Sequence, residues 1–191
     1  MYSKMKEKSI ELFFKKGYAA TSVRDITNSL NITPAALYAH FSSKADLFLQ
    51  VLEDGWDDVA KGLEEVIEGC NNNLLENPLY DIYKYYLNFY MNESSRTIFL
   101  IRSVMFPPDE LRDKVFNILE SKTNELNKKI EEILLKLIRE NIIKDLPTKE
   151  HLSIFYRLIN SFIFEITALN RKIKIVEMDH QWERYWSSIA K

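Results

Sequence analysis

An all-α fold follows from three features of the 191-residue sequence. Apolar residues recur at intervals of three and four over long stretches, and the strict alternation of a half-buried strand is never sustained. Glycine is confined to Gly17, Gly55, Gly62 and Gly69, so the last two-thirds of the chain contains none. Proline stands at 34, 78, 107, 108 and 147, each beside a start or break in the helical periodicity. The expected architecture is a three-helix head over residues 1–48 and a larger helical body over 49–191. The boundary should fall inside a long fourth helix and not in a flexible linker.

The first helix is expected over residues 2–16, with Ile10, Phe13 and Phe14 facing inward and Gly17 at a left-handed C-cap. A second starts after Ser22, whose hydroxyl and the Asp25 carboxylate have the spacing of a capping box. Val23, Ile26 and Leu30 form its apolar face, and Asn31 tolerates the left-handed turn that ends it. Thr33 caps a third helix reaching His40, Pro34 occupies the position where no amide is missed, and Leu37 and Phe41 point inward. Ser42 or Ser43 caps the long fourth helix, which runs to about Gly69. After a loop at "CNNNLLENP", helices are expected over 78–93, 95–105, 108–141, 148–170 and 177–190, with "RKIKI" joining the last two. The stretch "ELNKKIEEILLKLIREN" has coiled-coil-like spacing but is too short, and reads as one amphipathic helix.

Composition narrows the function. One cysteine, Cys70, leaves no partner for an intrachain disulfide and no cysteine-based zinc site. The charged, amphipathic N-terminus lacks the apolar core of a signal peptide, and no run of about 18 apolar residues occurs. A soluble, cytoplasmic protein is expected. Residues 1–50 hold seven Lys or Arg against four Asp or Glu, leaving nineteen against twenty-four for the rest. An anionic partner would meet the basic head.

Two short helices, Ser22–Leu30 and Thr33–His40, joined by about three residues, have the outline of a helix-turn-helix, whose second helix enters the DNA major groove. With Leu37 and Phe41 inward, Ala35 and Ala39 lie opposite, flanked by Ala36 and His40 on one side and Tyr38 on the other. Alanines let the backbone approach the groove, and their methyls suit thymine methyls. Thr33, Tyr38, His40 and Lys44 suit phosphate oxygens, and Ser22 and Arg24 open the preceding helix. No Arg, Lys, Asn or Gln stands on the third helix, so selectivity is expected from methyl contacts, Tyr38 and DNA shape.

The run "GYAATSVRDITNSLNITPAALYAHFSSKADLF" resembles the DNA-binding head of tetracycline-repressor-type (TetR-family) regulators. The resemblance is carried by Gly17-Tyr18, the run from Thr21 to Ile26, Leu37-Tyr38, His40-Phe41, and Ser43-Lys44 before Leu47. It departs at Asn31 and Thr27, where the family commonly has glycine and alanine. The resemblance implies an all-α homodimer with a helix-turn-helix DNA-binding domain and a ligand-binding and dimerisation domain. It implies a repressor released from a palindromic operator by a small lipophilic molecule. A corepressor-dependent regulator, or a ligand-binding protein keeping the head shape with weak operator affinity, are the alternatives. The DNA contacts it assigns fall on Ser22, Arg24, Thr33, Ala35, Ala36, Tyr38, Ala39, His40 and Lys44.

In the body, the resemblance implies a ligand cavity, and the aromatic stretch over residues 79–106 supplies candidates. These are Tyr83, Tyr86, Tyr90, Phe99, Arg102, Met105 and Phe106, with Glu165 opposite. Arg102 lies within "IFLIRSVMF", where a charge is costly unless paired. An ion pair with Glu165 is expected in preference to an anionic ligand. Phe155, Leu158, Phe162, Trp182, Trp186 and Ile189 recur at helical spacing, and with the family's four-helix contact they are expected at the dimer interface. An enzyme is not expected. His40, His151 and His180 lack metal-ligand spacing, serine and cysteine lack a nucleophile elbow, and no cofactor or metal is implied. His151 and His180 are expected at the surface near helix ends.

Overall fold

The structure, a computed structural model, describes residues 1–69, 77–92, 94–167, 169 and 171–191. Among these the chain is helical: α1 (Tyr2–Lys16), α2 (Val23–Leu30), α3 (Pro34–Tyr38), α4 (Lys44–Gly69), α5 (Pro78–Met91), α6 (Ser95–Met105), α7 (Arg112–Arg139), α8 (Thr148–Thr167) and α9 (Ile175–Ile189). A 3₁₀ turn, Asp109–Leu111, precedes α7 where the sequence predicts continuous helix from 108. The expected loop over 70–76, and the expected helix ends at 93, 168 and 170, lie outside the described residues.

Two compact units divide the chain, residues 1–59 with 93–122 and residues 60–92 with 123–191. The first is larger than the 1–48 head expected, because α1 packs on both α2 and α6. Phe13, Phe48 and Phe99 make its aromatic centre: Phe48 meets the other two edge-on at 5.3 and 5.4 Å, and Phe13 stacks on Phe99 at 6.1 Å. Gly55 of α4 faces Leu100 of α6 so closely that a Cβ there would lie 2.4 Å from a Leu100 methyl. Cations tie α4 to its neighbours. Lys6 reaches Asp54 at 2.7 Å, Arg96 pairs with Asp58, and Lys122 lies 2.8 Å from Asp57 and 3.2 Å from Glu53.

In the second unit α5 packs on α8, and α8 on α9. Tyr83, Leu79, Ile82, Phe155, Ile159, Phe162 and Trp182 fill its interior. The last residues fold back on the α7–α8 connection. Lys144 N–H donates to Ile189 O at 2.7 Å, Lys191 N–H to Ile142 O at 3.1 Å, and Ile143 and Ala190 form an isolated antiparallel bridge. His151, expected at the surface, is fully buried beneath this clasp with Nε2 2.9 Å from Lys144 O. The signal missed was its place at the head of the buried stripe of α8, where Leu152 and Phe155 follow.

Candidate nucleic-acid interface

Local chemistry sets the head's helix-turn-helix. Gly17 ends α1 with its N–H on Phe13 O at 2.9 Å, at φ 80° and ψ 164°. That is glycine territory, but not the left-handed helical conformation expected. Ser22 then caps α2 reciprocally. Its hydroxyl accepts from Asp25 N–H at 3.1 Å while its own N–H and O–H donate to the Asp25 carboxylate at 2.8 and 2.7 Å. Lys16 of α1 donates to the other carboxylate oxygen at 2.9 Å. Asn31 closes α2 at φ 54° and ψ 44°, the left-handed geometry a turn to α3 needs. Thr27 is buried and bonds back to Arg24 O, so its extra atoms are accommodated.

The Asp25 carboxyl sits well below the usual carboxylate range, first because Lys16 donates to it and then because Ser22 does. A carboxyl more acidic in the folded state than in the unfolded chain stabilises the fold above the unfolded value and loses that contribution as pH falls. Asp25→Asn should therefore lower the melting temperature by a constant amount above about pH 4, near the ordinary aspartate value. The gap from the wild type should close as pH falls below that. Thermal unfolding followed by circular dichroism across pH 2 to 7 checks it; a gap independent of pH would refute it.

Thr33 caps α3, accepting from Ala36 N–H at 3.2 Å. The helix ends at Tyr38, two residues short of the expected His40, because His40 N–H turns back to Leu37 O at 3.0 Å in a tighter loop. Leu37 is fully buried and Phe41 nearly so, which fixes the helix against the core. Ala35, Ala39 and His40 are exposed, Ala36 is half-buried, and Tyr38 is 50% exposed. Ser43 and Asp46 cap α4: Asp46 N–H donates to Ser43 Oγ at 3.0 Å, and Ser42 N–H to the Asp46 carboxylate at 2.7 Å.

The nine expected contacts thus fall into two groups. Ser22 and Thr33 spend their hydroxyls on caps, and Lys44 donates to Tyr18 O at 2.8 Å with its ammonium 4.1 Å above the Tyr18 ring. Arg24, Tyr38 and His40 remain outward, with the three alanines between them. Tyr2 was not foreseen. Its ring stacks on Phe41 at 5.2 Å, lies 5.7 Å from His40, and its hydroxyl donates to Gln50 Oε1 at 2.7 Å. A tyrosine in a first helical turn carries no sequence signal of its own; only the fold brings α1 to the end of α3.

A small-residue outward face on a short second helix, bounded by polar and aromatic edges, suits a groove, and known proteins agree. Residues 7–51 match the family described as bacterial regulatory proteins, tetR family. The head, residues 7–51, is of the tetR type. Among its relatives, the biofilm operon icaADBC HTH-type negative transcriptional regulator IcaR of Staphylococcus aureus is 27% identical over 145 residues, covering 74% of this chain and 75% of that protein. Its Staphylococcus epidermidis counterpart is 24% identical over 177 residues, covering 93% and 89%. In fold, the chain matches the transcriptional regulator FadR from Bacillus subtilis with a TM-score of 0.79 at 16% identity, over 98% of each chain. The ketosteroid transcriptional regulator KstR2 of Mycobacterium tuberculosis matches with 0.70 at 18% identity, over 99% of this chain and 94% of that one. Among the described residues, no helix of this chain is long and apolar enough to cross a membrane.

The residues expected around a ligand do not come together in one unit. Phe99, Arg102, Met105 and Phe106 belong to the first; Tyr83, Tyr86, Tyr90 and Glu165 to the second. Arg102 corrects the sequence reading most. It is exposed, its guanidinium lies 5.6 Å from the Phe14 ring and 3.5 Å from Phe14 O, and Glu165 pairs with Arg171 instead. An exposed helix flank beside an aromatic ring leaves no desolvated charge to neutralise. Phe106 is 73% exposed. The phenols of the second unit are largely committed: Tyr83 donates to Met178 O at 2.9 Å and Tyr156 to Asn127 at 2.6 Å. Burial holds the hydroxyls of Tyr86, Tyr90 and Tyr185 far above the usual phenol range, so they stay protonated. The Tyr185 hydroxyl is buried without a hydrogen-bond partner among the described residues.

The expected dimer residues are also redistributed. Phe155, Phe162, Trp182 and Ile189 are buried inside the single chain, where Trp182 packs on Tyr83 at 5.2 Å and Phe155 on Tyr185 at 5.8 Å. Only Leu158 and Trp186 of that set are partly exposed. The apolar periodicity was real, but it marked the inward face of α8 and α9. Phe164, Leu169, Ile175 and Val176 are the exposed apolar residues of this region, at 51, 61, 69 and 60%.

Proposed function

We propose that the chain is a homodimeric, cytoplasmic repressor of transcription. Each head lays α3 in the major groove of one half of a palindromic operator, and a small lipophilic molecule held by the second unit releases it. The observation that carries this reading is the outward face of α3: alanine backbone and methyls at the centre, with Tyr38 and His40 at the edges. Such a face reaches thymine methyls and phosphates. The negative regulators among its relatives support repression. The FadR structure holds stearoyl-CoA, an acyl thioester, which supports a lipophilic effector. The exposed apolar residues Phe164, Leu169, Ile175 and Val176, with Leu158 and Trp186, offer a second copy a surface to cover. Ligand then favours a dimer whose two α3 helices no longer match the half-site spacing.

The test is a gel shift with DNA upstream of the protein's own coding region at two salt concentrations. Operator binding should weaken steeply with salt. Tyr38→Ala should weaken it roughly tenfold, the factor that corresponds to 1.4 kcal/mol. Binding unaltered by this change would refute the α3 reading. Adding stearoyl-CoA to the same assay separates induction, seen as release, from corepression, seen as tightening.

A further inference from the structure

His40 stands at the edge of the α3 face, but α3 does not set its orientation. It lies beyond the end of the helix at Tyr38, in the turn before α4, and is exposed. Its imidazole makes neither a hydrogen bond nor an ion pair among the described residues. What it meets is rings: Tyr2, with centroids 5.7 Å apart and planes tilted by 53°, and Phe41 at 6.4 Å. An exposed imidazole that is not held loses rotamer freedom when it binds a partner. A hydrogen bond would hold it but would occupy a ring nitrogen. Ring contacts restrict it and leave both nitrogens open to an anion.

Tyr2, in the first turn of α1, is itself fixed. Its ring lies 10° from parallel with Phe41 at 5.2 Å, and the Lys6 ammonium sits 4.5 Å from its centroid. Its hydroxyl donates to Gln50 Oε1 at 2.7 Å, and Gln50 Nε2 donates to Asp46 at 2.9 Å. The Asp46 carboxylate in turn accepts the Ser42 N–H at 2.7 Å, two residues after His40. Lys6 is anchored on Asp54 at 2.7 Å. Asp46, Gln50 and Asp54 follow at intervals of four along α4, on one side of that helix. A single stripe of α4 therefore holds both the turn that carries His40 and the ring beside it. We infer that Tyr2 is a positioning residue for operator binding, its ring holding the His40 imidazole in place for a backbone phosphate. Tyr2 acts through His40 and not on the DNA. This rests on the operator-binding reading above, in which His40 meets the backbone.

A double-mutant cycle on operator affinity tests it, with full-length proteins compared well below their melting temperatures by fluorescence anisotropy. Tyr2→Ala should weaken binding by about fivefold or more, from one loosened side chain in each of two heads. In a His40→Ala background the same change should cost nothing further. Tyr2→Phe keeps the ring and drops the hydroxyl, and should bind like the wild type. Tyr2→Leu covers Phe41 but offers no flat ring, and should bind like Tyr2→Ala; this pair separates the effect on His40 from a general loosening of the head. Equal losses for Tyr2→Ala with and without His40 would overturn the inference, as would Tyr2→Leu binding like the wild type. Both outcomes leave operator binding standing. If His40→Ala bound as the wild type does while Tyr38→Ala did not, the phosphate role of His40 would fall, and the inference with it. A wild type without salt-sensitive binding to this DNA would overturn the operator reading as well.

Discussion

Phe99→Ala should destabilise the first unit by about 3–5 kcal/mol, the cost of deleting a buried phenylalanine and leaving its cavity. The ring is 2% exposed and touches Phe13 of α1 and Phe48 of α4 together. Removing it should loosen the attachment of α6 to the DNA-binding helices and weaken operator binding at temperatures near the new melting point. Denaturant unfolding beside a gel shift at several temperatures checks this. A variant that melts like the wild type but no longer responds to a lipophilic effector would instead make Phe99 a ligand wall, as the sequence suggested.

Phe155→Ala should have a comparable effect on the second unit, about 3–5 kcal/mol. Phe155 is 1% exposed and packs on Tyr156 and Tyr185 within the same chain. The loss should be the same at every protein concentration. An interface residue behaves otherwise, since a dimer's melting temperature rises with concentration by mass action. Leu158→Asp, on the half-buried flank of the same helix, is the comparison: it should shift the monomer–dimer balance seen by analytical ultracentrifugation and change the monomer's stability little. If Phe155→Ala instead produced stable monomers, the core assignment would be wrong.

Local signals were legible at the helix starts and the turn of the head, though Gly17 ends α1 in another conformation than the left-handed one expected. Ser22 with Asp25, Asn31, and Thr33 before Pro34 each bound a helix through bonds within four residues, and the structure places the head's helix starts where they predict. What failed was everything that depends on a partner distant in sequence. The apolar spacing of Phe155, Phe162, Trp182 and Ile189 says that one face is hidden but not whether the same chain or a second one hides it. Arg102 looked buried because its sequence neighbours are apolar, yet a helix turns each residue by 100°, and this one emerges on the outside. His151 was misread for the mirror reason: a polar residue near a helix start satisfies one nitrogen on a carbonyl brought in by the α7–α8 connection. The inclusion of α6 with the head depends on rings nearly ninety residues apart, which no local pattern encodes.

The hydroxyls of Ser22 and Thr33 and the ammonium of Lys44 are already bonded before any DNA is present. Their rotamer freedom is spent in folding, so docking recovers contacts from a surface that is largely rigid. Recognition by such a head resembles a template pressed against a groove more than a chain ordering itself around one. Its encounters should therefore succeed or fail quickly, with the lifetime of the complex, more than its rate of formation, separating an operator from ordinary DNA.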